Sequence, residues 1–161
     1  MFGIAFRIRR DSTEGVTEKV VYLRSRRRGP EGEKMRAAIK AYHRASFDQA
    51  RLAAKVGAMM NRGLSGETAG MSLEDIEAKQ TSALAEAQNC SSVALEQAEI
   101  VATLALDENY GAEEAAKMVG DLTDHELHGI IGAIELGSMP KDFFPSPDIQ
   151  PKLSTTGSSG T

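Results

Sequence analysis

The spacing of apolar positions changes from two to between three and four as the chain proceeds. From Phe2 to Arg10 the residues alternate, with Phe2, Ile4, Phe6 and Ile8 on one face and Ala5, Arg7 and Arg9 on the other. Alternation of this kind predicts a half-buried strand. Asp11 to Gly15 has the composition of a turn. Thr17 to Arg24 then predicts a second strand, with Val21 and Leu23 alternating against Val20 and Tyr22. The pair reads as a β-hairpin. Two strands alone are marginal in water, so the apolar face needs cover from helices or from another chain.

Glu33 to Asn61 has helical spacing, with Met35, Ile39 and Tyr42 and then Leu52, Val56, Met59 and Met60 as its stripe. Ser46 and Gln49 stand at capping-box spacing, which allows the helix to restart at Phe47. The longest pattern runs from Met71 to Leu106, and neither Gly nor Pro occurs from residue 71 to 110. Ser72 suits its N-cap, Asp75 stands three residues on, and Met71 and Ile76 can close a hydrophobic staple. Leu73, Ile76, Ala83, Ala87, Cys90 and Ala94 form one apolar track, with Leu84, Val93, Ile100 and Leu104 beside it. Asn89 to Ser92 is the weak point, because such side chains compete for backbone hydrogen bonds. One continuous helix is the preferred reading.

Gly111 closes that helix, and Ala112 to Val119 forms a short one. Thr123 and Glu126 make a second N-terminal signature, Leu122 can staple to Leu127, and Gly137 ends the helix near Leu136. The expected fold is mainly α: a helical bundle with a long central helix and an N-terminal β-hairpin arm. The expected divisions are a basic hairpin arm (1–28), a basic helical segment (33–62) and a Gly-rich connector (63–70). An acidic helical body (71–145) and a flexible tail (146–161) follow.

Charge sharpens this picture. Residues 1–62 carry 15 Lys and Arg against 6 Asp and Glu, a balance of +9, whereas residues 63–161 carry 4 against 17, a balance of −13. Such halves can neutralise each other within one fold, or attract copies and partners. With 1 Cys there is no internal disulfide and no Cys-based zinc site. The sequence has no signal-peptide pattern and no run of the roughly 20 apolar residues that a membrane span needs.

Candidate chemistry is sparse. Arg24, Arg26, Arg27 and Arg28 form a cationic run, which a nucleic-acid backbone or a charged partner surface can use. No recognition-helix pattern or aromatic platform accompanies it, so a solvated or subunit-binding face is favoured. His125 and His128 flank Glu126, but zinc helices space their His at i and i+4 and a third ligand is missing. The acids after Leu106 lack the glycine position and closing Glu of a calcium loop. No phosphate loop, dinucleotide loop or nucleophile motif occurs. No catalytic, cofactor or metal residue is therefore assigned.

In layout the chain resembles small bacteriophage morphogenesis proteins. A hairpin arm and helical body lead to a capped helix, Leu122 to Ile134, and a Gly-x-x-Pro-x-x-Phe-Phe exit from Gly137 to Phe144. Over residues 72–144 this is similar to tail assembly chaperones of long-tailed phages; connector and virion proteins share the hairpin arm. The resemblance implies a non-enzymatic assembly protein, either homo-oligomeric or bound to a larger phage structural protein, in a virion or host cytoplasm. The alternative is a nucleic-acid-binding protein using the Arg-rich hairpin. The residues expected to meet a partner are Phe2, Ile4, Phe6 and Ile8, Arg24, Arg26, Arg27 and Arg28, and Phe143 and Phe144 at the tail.

Overall fold

Strand β1 (Ile4–Ser12) pairs antiparallel with β2 (Gly15–Leu23), Phe6 opposite Val21 and Ser12 opposite Gly15. The computed structural model describes residues 2–26, 28–61 and 70–139. The two-residue turn is tied by the Ser12 hydroxyl, which donates to the Gly15 carbonyl at 3.0 Å. Gly3, just before β1, has φ +136°, and a Cβ there would lie 2.2 Å from the Leu23 carbonyl oxygen. Only glycine lets the two backbones approach so closely.

Helix α1 spans Gly29–Met60 and starts earlier than the apolar stripe alone suggests, with Pro30 in its first turn. It does not restart at Phe47. Ser46 hydrogen-bonds the Tyr42 side chain instead of capping a new helix. Met35, Ala38, Ala45, Leu52, Val56 and Met59 are buried, each three, four or seven residues from the next. That spacing carries one seam straight through position 46, and packing overrides the local cap signal.

Helix α2 spans Leu73–Tyr110, and its Ser72 N-cap accepts from the Asp75 N–H at 3.2 Å. It is unbroken at Asn89–Ser92. Ser92 turns its hydroxyl back onto the Gln88 carbonyl at 3.2 Å, which satisfies the side chain without freeing the backbone. α1 and α2 lie alongside each other as the most extensively packed pair of elements. Helices α3 (Ala112–Gly120) and α4 (Asp124–Leu136) then fold back onto α2. The α4 capping box is complete in both directions, and Gly137 closes the helix at φ +70°. Among the described residues, no helix is long and apolar enough to cross a membrane.

The main core gathers at one end of the α1–α2 pair. Phe6, Ile8, Val21 and Leu23 from the hairpin meet Met35 and Ala38, Val101 to Leu106, Met118 and the Leu127–Ile134 face of α4. The hairpin therefore exists as the alternation predicts, but it is not a free arm. Its apolar row is covered by the chain's own helices: Phe6 is 0% and Ile8 9% exposed.

Candidate interaction surfaces

The cationic run after β2 is largely spent inside the protein. α2 has no basic residue in its last turn, so its carbonyl end and its acids are answered by residues of another segment. The Arg24 N–H donates to the Ala105 carbonyl at 2.8 Å, and its guanidinium pairs with Glu108 at 3.4 Å. Arg26 Nε donates to the Leu104 carbonyl at 3.2 Å. Its Nη1 meets Glu31 at 3.1 Å and Glu108 at 2.8 Å, and its Nη2 contacts Asp107. Burial works to lower the Arg26 pKa, but the hydrogen bond and charge of Asp107, with Glu108 and Glu31, outweigh it and hold the guanidinium above its usual value. Two members of the run thus fasten the hairpin to the negative end of α2. Arg28 is exposed at the start of α1, and Arg27 lies outside the described residues.

The hairpin arginines are paired as well. Arg7 meets Glu18 at 2.7 Å and Arg9 meets Asp11 at 3.5 Å. Arg10 holds the buried Glu126 at 3.2 Å and also donates to the Asp121 carbonyl. Ion pairs from Arg10, Arg24 and Arg26 cross from the basic first part of the chain to the acidic second part. The charge asymmetry read from sequence is thus partly closed within one molecule.

A polar cluster joins α1 to α4. Tyr42 Oη and His128 Nδ1 are 2.6 Å apart, and His43 Nε2 and Glu135 Oε1 are also 2.6 Å apart. Burial pushes the Tyr42 phenol up, the Ser46 hydrogen bond pulls it down, and the Glu135 charge pushes it up again; the net direction is upward. The two contacts lie on the exposed surface and clasp α1 to α4. Among the described residues, no three His, Cys, Asp or Glu side chains gather as metal ligands. A cavity of about 310 Å³ opens between the hairpin and α3, with buried Ile8, Val21, Met118 and Ile130 in its wall and Lys19 and Glu114 also lining it. That mixture of signs selects no ligand charge.

The expected partner residues thus scatter. Phe2 is 80% exposed, whereas Ile4 is half-buried and Phe6 and Ile8 are core. Phe143 and Phe144 lie outside the described residues. Large apolar side chains are also exposed along the α1–α2 pair beyond the core. Phe47 is 70%, Met60 68%, Leu73 66% and Leu84 49% exposed. The sequence contained one sign of this. A helix with two apolar tracks, such as α2, needs two neighbours, and at that end α1 supplies only one. Phe47 had no such sign, because it stands among polar residues. No protein-family model, curated protein or solved structure matches this chain.

Proposed function

We propose that this chain is a non-enzymatic assembly protein that binds protein surfaces through the outer end of the α1–α2 pair. The observation that carries the reading is the exposure of Leu73 and Leu84 at 66% and 49% on a helix pair that has left the core. Large apolar side chains exposed along a projecting element favour a protein neighbour over water. A bacteriophage tail or virion setting follows from the layout of the sequence, and flanking tail-tube and tape-measure genes are the expected genomic context.

A photo-crosslinking amino acid at Leu84, in the full chain in its native cell, tests the binding reading. Discrete protein adducts are expected at Leu84 and not at exposed Lys117 on α3; no adduct at Leu84 overturns it. Nucleic-acid binding has lost two of its four proposed cations to α2. Titration of duplex DNA is expected to show no affinity even at low salt, where phosphate contacts are strongest.

A further inference from the structure

The ion pairs within the fold close only part of the basic half. Arg7, Arg9, Arg10, Arg24 and Arg26 all meet carboxylates, whereas α1 keeps much of its charge on the outside. From Arg36 the residues Lys40, Arg44, Phe47, Arg51 and Lys55 follow at steps of four, four, three, four and four. At 100° per residue these positions stay within about 100° of the helix circumference, so they share one face. That face looks away from the buried seam of Met35, Ala38, Ala45, Leu52, Val56 and Met59, along which α1 packs on α2. All six side chains of the row are exposed, and they run for about 28 Å at 1.5 Å per residue.

Two acids border the row. Glu33 precedes it, and Asp48 stands at its edge, 3.9 Å from Arg51. Among the described residues, Lys40, Arg44 and Lys55 form no ion pair. Phe47 has no cover either. It is 70% exposed, with Arg44 one turn before it and Arg51 one turn after it on the same face. The rest of that face is alanine, Ala37, Ala54 and Ala58, which lets a neighbour come close.

We propose that this face of α1 docks an acidic segment of another protein, one whose carboxylates flank an apolar side chain that covers Phe47. The surface is separate from Leu73 and Leu84, so it goes beyond the binding reading above and adds the partner's chemistry. Three observations favour such a segment. First, aromatic and Arg side chains are the groups enriched in protein interfaces, and Arg44, Phe47 and Arg51 stand together at the middle of the row. Second, the attraction is narrow. Residues 63–161 sum to −13, so a wide polyanion, such as a nucleic-acid duplex or an anionic bilayer, meets repulsion from the acidic second part as it nears α1. A segment no broader than a helix, about 10 Å, stays over the cations. Third, the chain's own tail is no complement: residues 140–161 contain 2 Asp and no Glu against 2 Lys.

The chain contains no Trp, so Phe47→Trp gives the full chain a single indole reporter on this face. Poly-L-glutamate is the acidic probe. At low salt it is expected to shift the indole emission to saturation, and added salt is expected to reverse the shift. In that background, Lys40→Gln, Arg44→Gln and Lys55→Gln together are expected to raise the half-saturation point at least about 10-fold. Lys19→Gln, Lys79→Gln and Lys117→Gln together remove the same charge from exposed positions off the row and are expected to leave it unchanged. Circular dichroism checks that both sets keep their helix. No emission shift, or an equal loss from the two sets, overturns the proposal. So does tighter binding of duplex DNA or of phosphatidylserine vesicles at the same concentration of negative charge. An emission that shifts with the concentration of the chain alone points to a second copy and overturns it too. In the native cell, a photo-crosslinking residue at Phe47 is expected to give protein adducts that map to peptides rich in Asp and Glu. Adducts at Leu84 with none at Phe47 remove this surface and leave the binding reading standing.

Discussion

Arg26 illustrates how a residue that reads as a binding group becomes a structural one. Its side chain is 18% exposed and meets three carboxylates and a helix carbonyl. Arg26→Ala would leave Asp107, 23% exposed, without its nearest cation. The expected loss is about 2 kcal/mol by urea unfolding, below the figure for a fully buried pair because water reaches both partners. Tyr42 gives a pH signature. Its pKa is raised above 10.0 in the folded protein, so the native state holds the phenol proton more tightly than the unfolded chain does. The associated stability is fully present below pH 10.0 and is lost as pH rises through the folded value. Unfolding free energies of the wild type and Tyr42→Phe, compared from pH 9 upward, are expected to converge as the solution becomes more alkaline. The sequence showed that these residues are cationic or phenolic. Glu31 and Ser46 stand within five residues of them, but the sequence could not show the partners that lie far along the chain, Asp107 and Glu108 for Arg26 and His128 for Tyr42, which only the fold brings near.

Among the elements, α4 was the most legible, because its start signal and its stop are both local. Thr123, Glu126 and Gly137 act within one or two turns of themselves, and all three perform as their spacing predicts. The structure adds a second duty for Glu126. This carboxylate is 6% exposed; it accepts from the Thr123 N–H at 3.1 Å and from Arg10 at 3.2 Å. It therefore caps a helix and anchors β1 at once. Glu126→Ala is expected to cost about 1–2 kcal/mol, since it removes the acceptor of the Thr123 N–H and one partner of a half-exposed Arg10 that keeps the Asp121 carbonyl. Thr123→Ala loses only the cap, about 1 kcal/mol. Thermal melts of the two variants decide the order. Ser46 shows the opposite case: its local spacing was right for a cap, and a seam extending for turns on either side kept the helix intact. For α2 the two apolar tracks were legible, but not that each passes from exposed near the start of the helix (Leu73, Leu84) to buried further on (Ala94, Leu104).

At the scale of the whole molecule, the hairpin changes the expected result of a truncation. A free arm could be removed without harm to the body. Here, deleting residues 1–28 would withdraw Phe6, Ile8, Val21 and Leu23 from the shared core. The truncated chain is expected to lose its cooperative thermal transition and to bind a hydrophobic dye; a sharp transition near the full-length temperature would refute this. Periodicity showed that the row was apolar and needed cover, but the choice between its own helices and a second chain depended on contacts remote in sequence. That remoteness also sets a schedule for the ribosome. Arg10 and the Glu126 it grips are 116 residues apart, so translation at about 5–20 residues per second separates their synthesis by roughly 6–23 s. For that interval the first strands to be made lack the surface that finally covers them. During synthesis Phe6 and Ile8 are nascent-chain hazards, and slowing the ribosome should lengthen their exposure without changing the finished protein.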